Sequence, residues 1–259
     1  VTVPDLARWK AEGRKITVLT AYDFTMARLL DDAGIDVLLV GDSLGTVVQG
    51  HATTLPVTLD QMVYHAGMVA RGARRALVIG DLPFGSYQAS TADAVRASVR
   101  MLQEAGCAAV KLEGGRRMAP AIQALADADV PVMGHVGLTP QSVHRLGGFK
   151  VQRGADALLA DARAVADSGA FAVVLECVPA DLARRITADL PIPTIGIGAG
   201  VDCDGQVLVT PDMIGLFEGF RPKFARRYAA MADLVREAAA RYRDDVTTGA
   251  FPTPDESFR

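Results

Sequence analysis

I-D-V-L-L-V-G-D-S, residues 35–43, carries the reading that decides the fold. Its V-L-L-V stretch shows no alternation of polar and apolar residues, so a strand formed here is covered on both faces, as in a parallel sheet. F-T-M-A-R-L-L-D-D-A-G (24–34) precedes it, with apolar residues at helical spacing and Gly34 to end the helix. K-I-T-V-L-T-A-Y-D (15–23), before that helix, reads as another strand. Strand, helix, strand is the local order.

The same order continues outward. Apolar runs at 76–83, 108–114, 130–138, 171–178 and 192–200 predict further strands, and Q-V-L-V (206–209) an eighth. Helices are expected near 58–72, 91–106 with Thr91 as N-cap, 116–128, 155–168 and 180–189. Eight strands of this kind predict a (β/α)8 TIM barrel. A doubly wound open sheet is the alternative, because the pattern does not count how the sheet closes. The eighth unit is the weakest, since little helix follows Q-V-L-V before Gly215. Residues 222–245 read as helix, and the closing A-F-P-T-P-D-E-S-F as extended or irregular. The expectation is one barrel domain over residues 1–259 with a C-terminal helical tail.

Composition narrows the function. The net charge of −3 is spread without long runs, so no basic face is offered to a nucleic acid. No apolar run approaches the roughly 20 residues that span a bilayer, and V-T-V-P-D-L-A-R-W-K lacks the layout of a signal peptide. A first residue Val1 rather than Met points to trimmed numbering or a leader left out. Cys107, Cys177 and Cys203 lack C-x-x-C spacing, which argues for free thiols in a reducing cytoplasm.

Polar residues gather at the strand ends. Strand two ends in Gly41-Asp42-Ser43, strand three in Asp81, strand four in Lys111 and Glu113, strand five in His135, and strand six in Glu176. Each has an ordinary explanation when taken singly. A strand-end Asp is most often a cap or turn former, a Lys–Glu pair a local ion pair, and a single His a structural residue. Glu176 is harder to dismiss, because it interrupts V-V-L-E-C-V and an unpaired buried carboxylate is expensive. Their recurrence at equivalent positions points to one polar mouth.

Asp42, Asp81 and Glu113 offer oxygen ligands with no Cys and a single His nearby, which suits a hard cation such as Mg²⁺. Lys111 would then face an anionic substrate, and Glu176 is available as a base. G-I-G-A-G (196–200) reads either as an anion cradle or as a tight turn. His51 and Tyr87, in loops after strands two and three, read as packing residues, and residues 147–155 as either a lid or an ordinary excursion.

L-T-A-Y-D, L-L-V-G-D-S-L-G, D-L-P-F-G-S-Y, A-V-K-L-E-G-G, M-G-H-V-G-L-T-P-Q-S-V, G-G-F-K-V-Q, G-I-G-A-G and C-D-G-Q-V-L-V together resemble the 3-methyl-2-oxobutanoate (ketopantoate) hydroxymethyltransferase family, from about Leu19 to Phe258. The resemblance implies a (β/α)8 barrel of the phosphoenolpyruvate/pyruvate superfamily type, assembled as a homodecamer. It implies transfer of a one-carbon unit from 5,10-methylenetetrahydrofolate to 3-methyl-2-oxobutanoate, giving 2-dehydropantoate for pantothenate and coenzyme A synthesis. By resemblance, Asp42, Asp81 and Glu113 are the Mg²⁺-binding acids and Glu176 is the proton acceptor. Asp42, Ser43, Asp81 and Lys111 match residues that hold the 2-oxo acid, and His135 a further pocket residue. V-Q-R-G (151–154) departs from the family's V-Q-G-R order, and no residue is assigned to the folate.

Overall fold

The computed structural model of the protein describes residues 1–148, 154–220 and 222–258. Its strands are β1 Ile16–Thr20, β2 Val37–Val40, β3 Leu77–Asp81, β4 Ala109–Lys111, β5 Val132–Gly137, β6 Ala172–Glu176, β7 Thr194–Ile197 and β8 Gly205–Leu208. Each is parallel to the next, and β8 pairs with β1 as well as β7, so the sheet closes into a barrel. Closure decides against the open sheet.

The strand that closes the barrel is also the faintest in the sequence. A Cβ at Gly205 would stand 2.5 Å from the Ile16 carbonyl oxygen and 2.7 Å from Ile195 Cδ1, so glycine is what lets β8 fit between its neighbours. No helix separates β7 from β8. Residues 198–204 form a turn in which Gly198 and Gly200 have φ of 64° and 87°. The glycines of G-I-G-A-G therefore serve a left-handed turn.

Two residue parities separate two interiors. Val78, Val110, Val132, Val173 and Leu175 pack in one cluster with Leu30, Met62, Val69, Met101, Ile122 and Val165 of the surrounding helices. Each such aliphatic side chain gains about 1.5–3 kcal/mol on burial. Ile79, Ala109, Met133 and Val174 are buried outside that cluster; strand alternation puts them on the barrel's inner face. Asp81, Lys111, His135 and Glu176 follow them by two residues, on the same face and nearer the carboxyl ends of the strands.

Several boundaries differ from expectation. The helix expected over 91–106 spans Thr91–Gln103, and its N-cap is Ser90 rather than Thr91, with the Ser90 hydroxyl accepting from the Asp93 amide. The helix expected over 116–128 is a 3₁₀ turn, Arg116–Met118, followed by a helix over Ala119–Asp127. A helix the sequence reading missed, Val3–Ala11, lies at the amino ends of the strands. There Lys10 Nζ donates to the Thr187 carbonyl at 2.9 Å and to Asp204 Oδ2 at 2.8 Å. Its signal was present in the Thr2/Asp5 capping box and the proline in its first turn.

Thr210–Arg259 forms a second compact unit. Its long helix begins at Met231 and ends at Thr248, where Gly249 supplies a left-handed cap. The helix expected from 222 starts later because the Tyr228 and Met231 amides are already bonded to the Met213 and Ile214 carbonyls. Part of the closing segment, expected to be irregular, forms a 3₁₀ turn at Pro254–Glu256. Among the described residues, no helix is long and apolar enough to cross a membrane.

Candidate active site

Asp81 ends β3 and Lys111 ends β4, and the two face each other in the strand register. Lys111 Nζ donates to both Asp81 carboxylate oxygens, at 2.8 Å and 2.7 Å. Both residues are buried, so these charge-assisted bonds replace lost hydration. Asp42 follows β2, and its backbone amide donates to Asp81 Oδ2 at 3.3 Å. Glu113 lies just past β4, which is shorter than the expected 108–114, and its Oε1 stands 3.9 Å from Lys111 Nζ.

His135 sits between two acids. Its Nδ1 is 3.5 Å from Glu113 Oε1 and its Nε2 is 3.2 Å from Glu176 Oε2. Neither nitrogen reaches hydrogen-bond geometry with a described residue, so the contacts are ion-pair contacts. Burial and Lys111 oppose a charged imidazole, but Glu113 and Glu176 prevail and raise its pKa to about 9. Glu176 is the least buried of the acids, with its side chain 16% exposed against 3% for Glu113.

The remaining charges do not balance. Burial raises the Asp42 pKa well above its ordinary value, and the neighbouring Asp81 and Glu113 push it further. Burial also raises Asp81, against the pull of Lys111. Glu113 ends up lowered: His135, Lys111 and the Gln141 amide outweigh the effect of its burial. Lys111 is held above its ordinary value by Asp81, Glu113 and Asp42 despite its own burial. Asp42 is thus the carboxyl whose ionised form its surroundings support least.

Gln141 is the residue the sequence reading missed. Its side-chain Nε2 donates to Asp42 Oδ2 at 3.0 Å and to the Leu82 carbonyl at 2.9 Å, while its backbone amide donates to Glu113 Oε2 at 3.0 Å. One residue in the 3₁₀ turn Pro140–Ser142 therefore clasps two of the acids. Tyr87, expected to be loop packing, orients that amide. Its hydroxyl accepts from the Glu113 amide at 3.0 Å and lies 2.7 Å from Gln141 Oε1, to which it donates. Burial and nearby Glu113 raise the Tyr87 pKa, which keeps the hydroxyl a neutral donor.

Ser43 is half-buried beside Asp42, and its hydroxyl shares a hydrogen bond of 2.8 Å with the Tyr22 hydroxyl. His51 is exposed. Of the glycine-rich stretch 147–155, residues 149–153 lie outside the described residues, as does most of the departing V-Q-R-G.

Tested against a divalent ion, the donors fit in kind: they are carboxyl oxygens, and the ionised form that burial and neighbouring acids disfavour at Asp42 is the one a cation would stabilise. They fit less fully in number. Among the described residues, no three His, Cys, Asp or Glu side chains stand ready to grip one ion together. Both Asp81 oxygens are engaged by Lys111 and one Glu113 oxygen by Gln141. Mg²⁺ commonly accepts such a set, because it binds through one or two carboxylates and fills its shell with water and substrate.

Comparison with known proteins shows what the whole chain is similar to. A family profile described as Ketopantoate hydroxymethyltransferase matches residues 1–254. The 3-methyl-2-oxobutanoate hydroxymethyltransferase of Trichlorobacter lovleyi is 56% identical, over 100% of this chain and 98% of its own. That of Moorella thermoacetica is 54% identical, again over 100% and 98%. Among solved structures, 2,3-dimethylmalate lyase, a PEP mutase/isocitrate lyase superfamily member, superposes with a TM-score of 0.60 at 19% identity, over 100% of this chain and 92% of the other. At that identity the likeness speaks for the fold alone.

Proposed function

The chain belongs to the ketopantoate hydroxymethyltransferase family, and we propose that its mouth transfers the methylene carbon of 5,10-methylenetetrahydrofolate to 3-methyl-2-oxobutanoate with Glu176 as base. The observation that carries this is the chain of contacts Asp81–Lys111–Glu113–His135–Glu176 on the barrel's inner face. It joins a cation suited to a 2-oxo acid to a carboxylate open enough to reach a C–H bond.

The residues divide the work. Lys111, charged and buried, holds the substrate carboxylate and the oxygen that gains charge as the enolate forms. Asp42, Asp81 and Glu113 would hold Mg²⁺, and Ser43 adds a hydroxyl beside Asp42. When bound, the ion supplies Lewis acidity that makes the substrate's C3 proton easier to remove. Glu176 takes that proton, and His135, charged between Glu113 and Glu176, orients the base. C3 then bonds to the folate methylene carbon as that carbon's bond to one folate nitrogen breaks. Water replaces the second nitrogen and becomes the hydroxyl, the proton from C3 and one from water restore the two N–H groups, and tetrahydrofolate and 2-dehydropantoate leave. On this reading residues 1–259 act as one barrel with a helical tail, in the homodecamer and cytoplasmic setting that the family implies.

The test uses NMR with 3-methyl-2-oxobutanoate and Mg²⁺ in D₂O. Loss of the C3 proton signal without folate, and appearance of 2-dehydropantoate with it, are expected. Cleavage of a larger 2-oxo acid with neither of these results would overturn the reading in favour of a carbon–carbon lyase.

A further inference from the structure

Two backbone positions in the left-handed region bracket Glu176. Cys177, the next residue, has φ of 51°, and Gly137, the register partner of Glu176 on β5, has φ of 98°. A residue with a Cβ holds that region only at a cost. Among the described residues, Asp129, with φ of 59°, is the one other non-glycine found there. Aspartate visits the region more readily than cysteine, because its short carboxylate can bond nearby backbone. Strain of this kind gathers where the surrounding structure enforces it, at functional sites above all.

The burial of its neighbours shows what the turn at Cys177 does. Alternation along β6 places Val173 and Leu175 in the outer cluster, with Val174 and Glu176 on the inner face. Continued, it would send Val178 inward. Val178 instead packs in the outer cluster at 1% exposure, so the parity reverses at Cys177, directly after Glu176. Backbone bonds pin both sides of the reversal. The Leu138 amide donates to the Glu176 carbonyl at 2.9 Å, and the Cys177 amide donates to the Ile197 carbonyl at 2.8 Å. Gly137 supplies the room: a Cβ there would overlap the Glu176 carbonyl oxygen and stand 2.9 Å from Val178 Cγ2.

We propose that Cys177 and Gly137 are positioning residues for Glu176, their left-handed backbone fixing where its carboxylate enters the mouth beside His135. The assignment rests on the reading of Glu176 as base. A base must come within hydrogen-bond reach of the proton it removes, and a misplacement of about 1 Å can cost about 100-fold in rate. The backbone at Cys177 carries this role, and its thiol does not. Burial and the Glu176 charge push the thiol up to about 11, so it stays neutral near neutral pH and offers no second base.

The test follows C3-proton exchange of 3-methyl-2-oxobutanoate in D₂O with Mg²⁺, together with calorimetric binding of the oxo acid and thermal melting, on full-chain variants. Cys177→Val puts a β-branched side chain where φ must be positive, and Gly137→Ala presses on the Glu176 carbonyl from β5. Each is expected to lower exchange about 10–100-fold while oxo-acid affinity stays within about three-fold of wild type. Cys177→Gly, which takes the left-handed region freely, should exchange within about three-fold of wild type. Asp129→Val imposes the same backbone mismatch in the turn before β5. It should lower the melting temperature yet leave exchange within about two-fold of wild type. Gly137→Ala carries the test where Cys177→Val does not fold.

Wild-type exchange in Cys177→Val or Gly137→Ala overturns the proposal. So does a loss of oxo-acid binding as large as the loss of exchange, a Cys177→Gly variant as slow as Cys177→Val, or an equal loss in Asp129→Val. Glu176→Gln separates the two assignments. Exchange retained in Glu176→Gln refutes Glu176 as base, whereas exchange lost there but kept in Cys177→Val refutes the bracket alone.

Discussion

Lys111 and Asp81 meet across adjacent strands as a buried two-bond ion pair, at 2.8 Å and 2.7 Å. Such a pair contributes little to net stability while intact, because desolvation offsets the attraction, but removing one partner leaves a buried charge unmatched. Lys111→Met should therefore cost about 3–5 kcal/mol in urea unfolding. A loss under about 1 kcal/mol would mean that water or Gln141 can replace the ammonium, contrary to the burial of both groups.

Gln141 should matter to acids it is remote from in sequence. Truncation in Gln141→Ala frees Asp42 Oδ2 and removes one of the partners of the Tyr87 hydroxyl. Loss of an outer-shell partner commonly costs about 10–100-fold in metal affinity or activity. Titration of Mg²⁺ followed by calorimetry, together with kcat, is expected to show a drop of that order. Unchanged Mg²⁺ affinity in a folded variant would exclude the clasp from any role in holding the ion.

Glu176→Gln keeps the side chain's shape and removes its basicity. A positioned general base contributes about 10²–10⁴-fold, so exchange of the C3 proton should fall by that factor while 2-oxo acid binding persists. Exchange at the wild-type rate would transfer the base role to another group, with His135 the nearest.

His135 makes stability depend on pH. Its pKa rises from an ordinary 6.5 to about 9 in the folded chain. The folded state thus binds the proton more tightly than the unfolded chain does. The resulting stabilisation is complete below pH 6.5 and disappears as pH climbs through about 9. Melting temperatures of wild type and His135→Gln, measured without metal between about pH 6 and 10, should converge at the alkaline end. A gap that widens there would show that the imidazole is neutral.

Much of this was legible in the sequence because it is local. Unbroken aliphatic runs marked strands covered on both faces, and period-two alternation carried Lys111 to the face that also holds Ala109. Strand ends flagged Asp42, Asp81, His135 and Glu176, because an ionisable group at the end of an apolar run is costly unless it is used. Gln141 and Tyr87 gave no such flag. An uncharged amide in L-T-P-Q-S and a tyrosine in a loop are ordinary, and their partners lie 99 and 54 residues away.

Taken alone, the sequence determined the repeating unit, the apolar faces and which strand ends carry charge, since each depends on neighbours a few residues apart. Tertiary structure alone decided that the sheet closes, because that depends on whether Gly205 can slide between β1 and β7. It also decided how the charges share partners. Lys111 chose Asp81 over Glu113, and a turn after β5 tied Asp42 to Glu113. Coulomb and hydrogen-bond energies act through space over a few ångströms, and only the closed barrel brings those distances down from opposite parts of the chain.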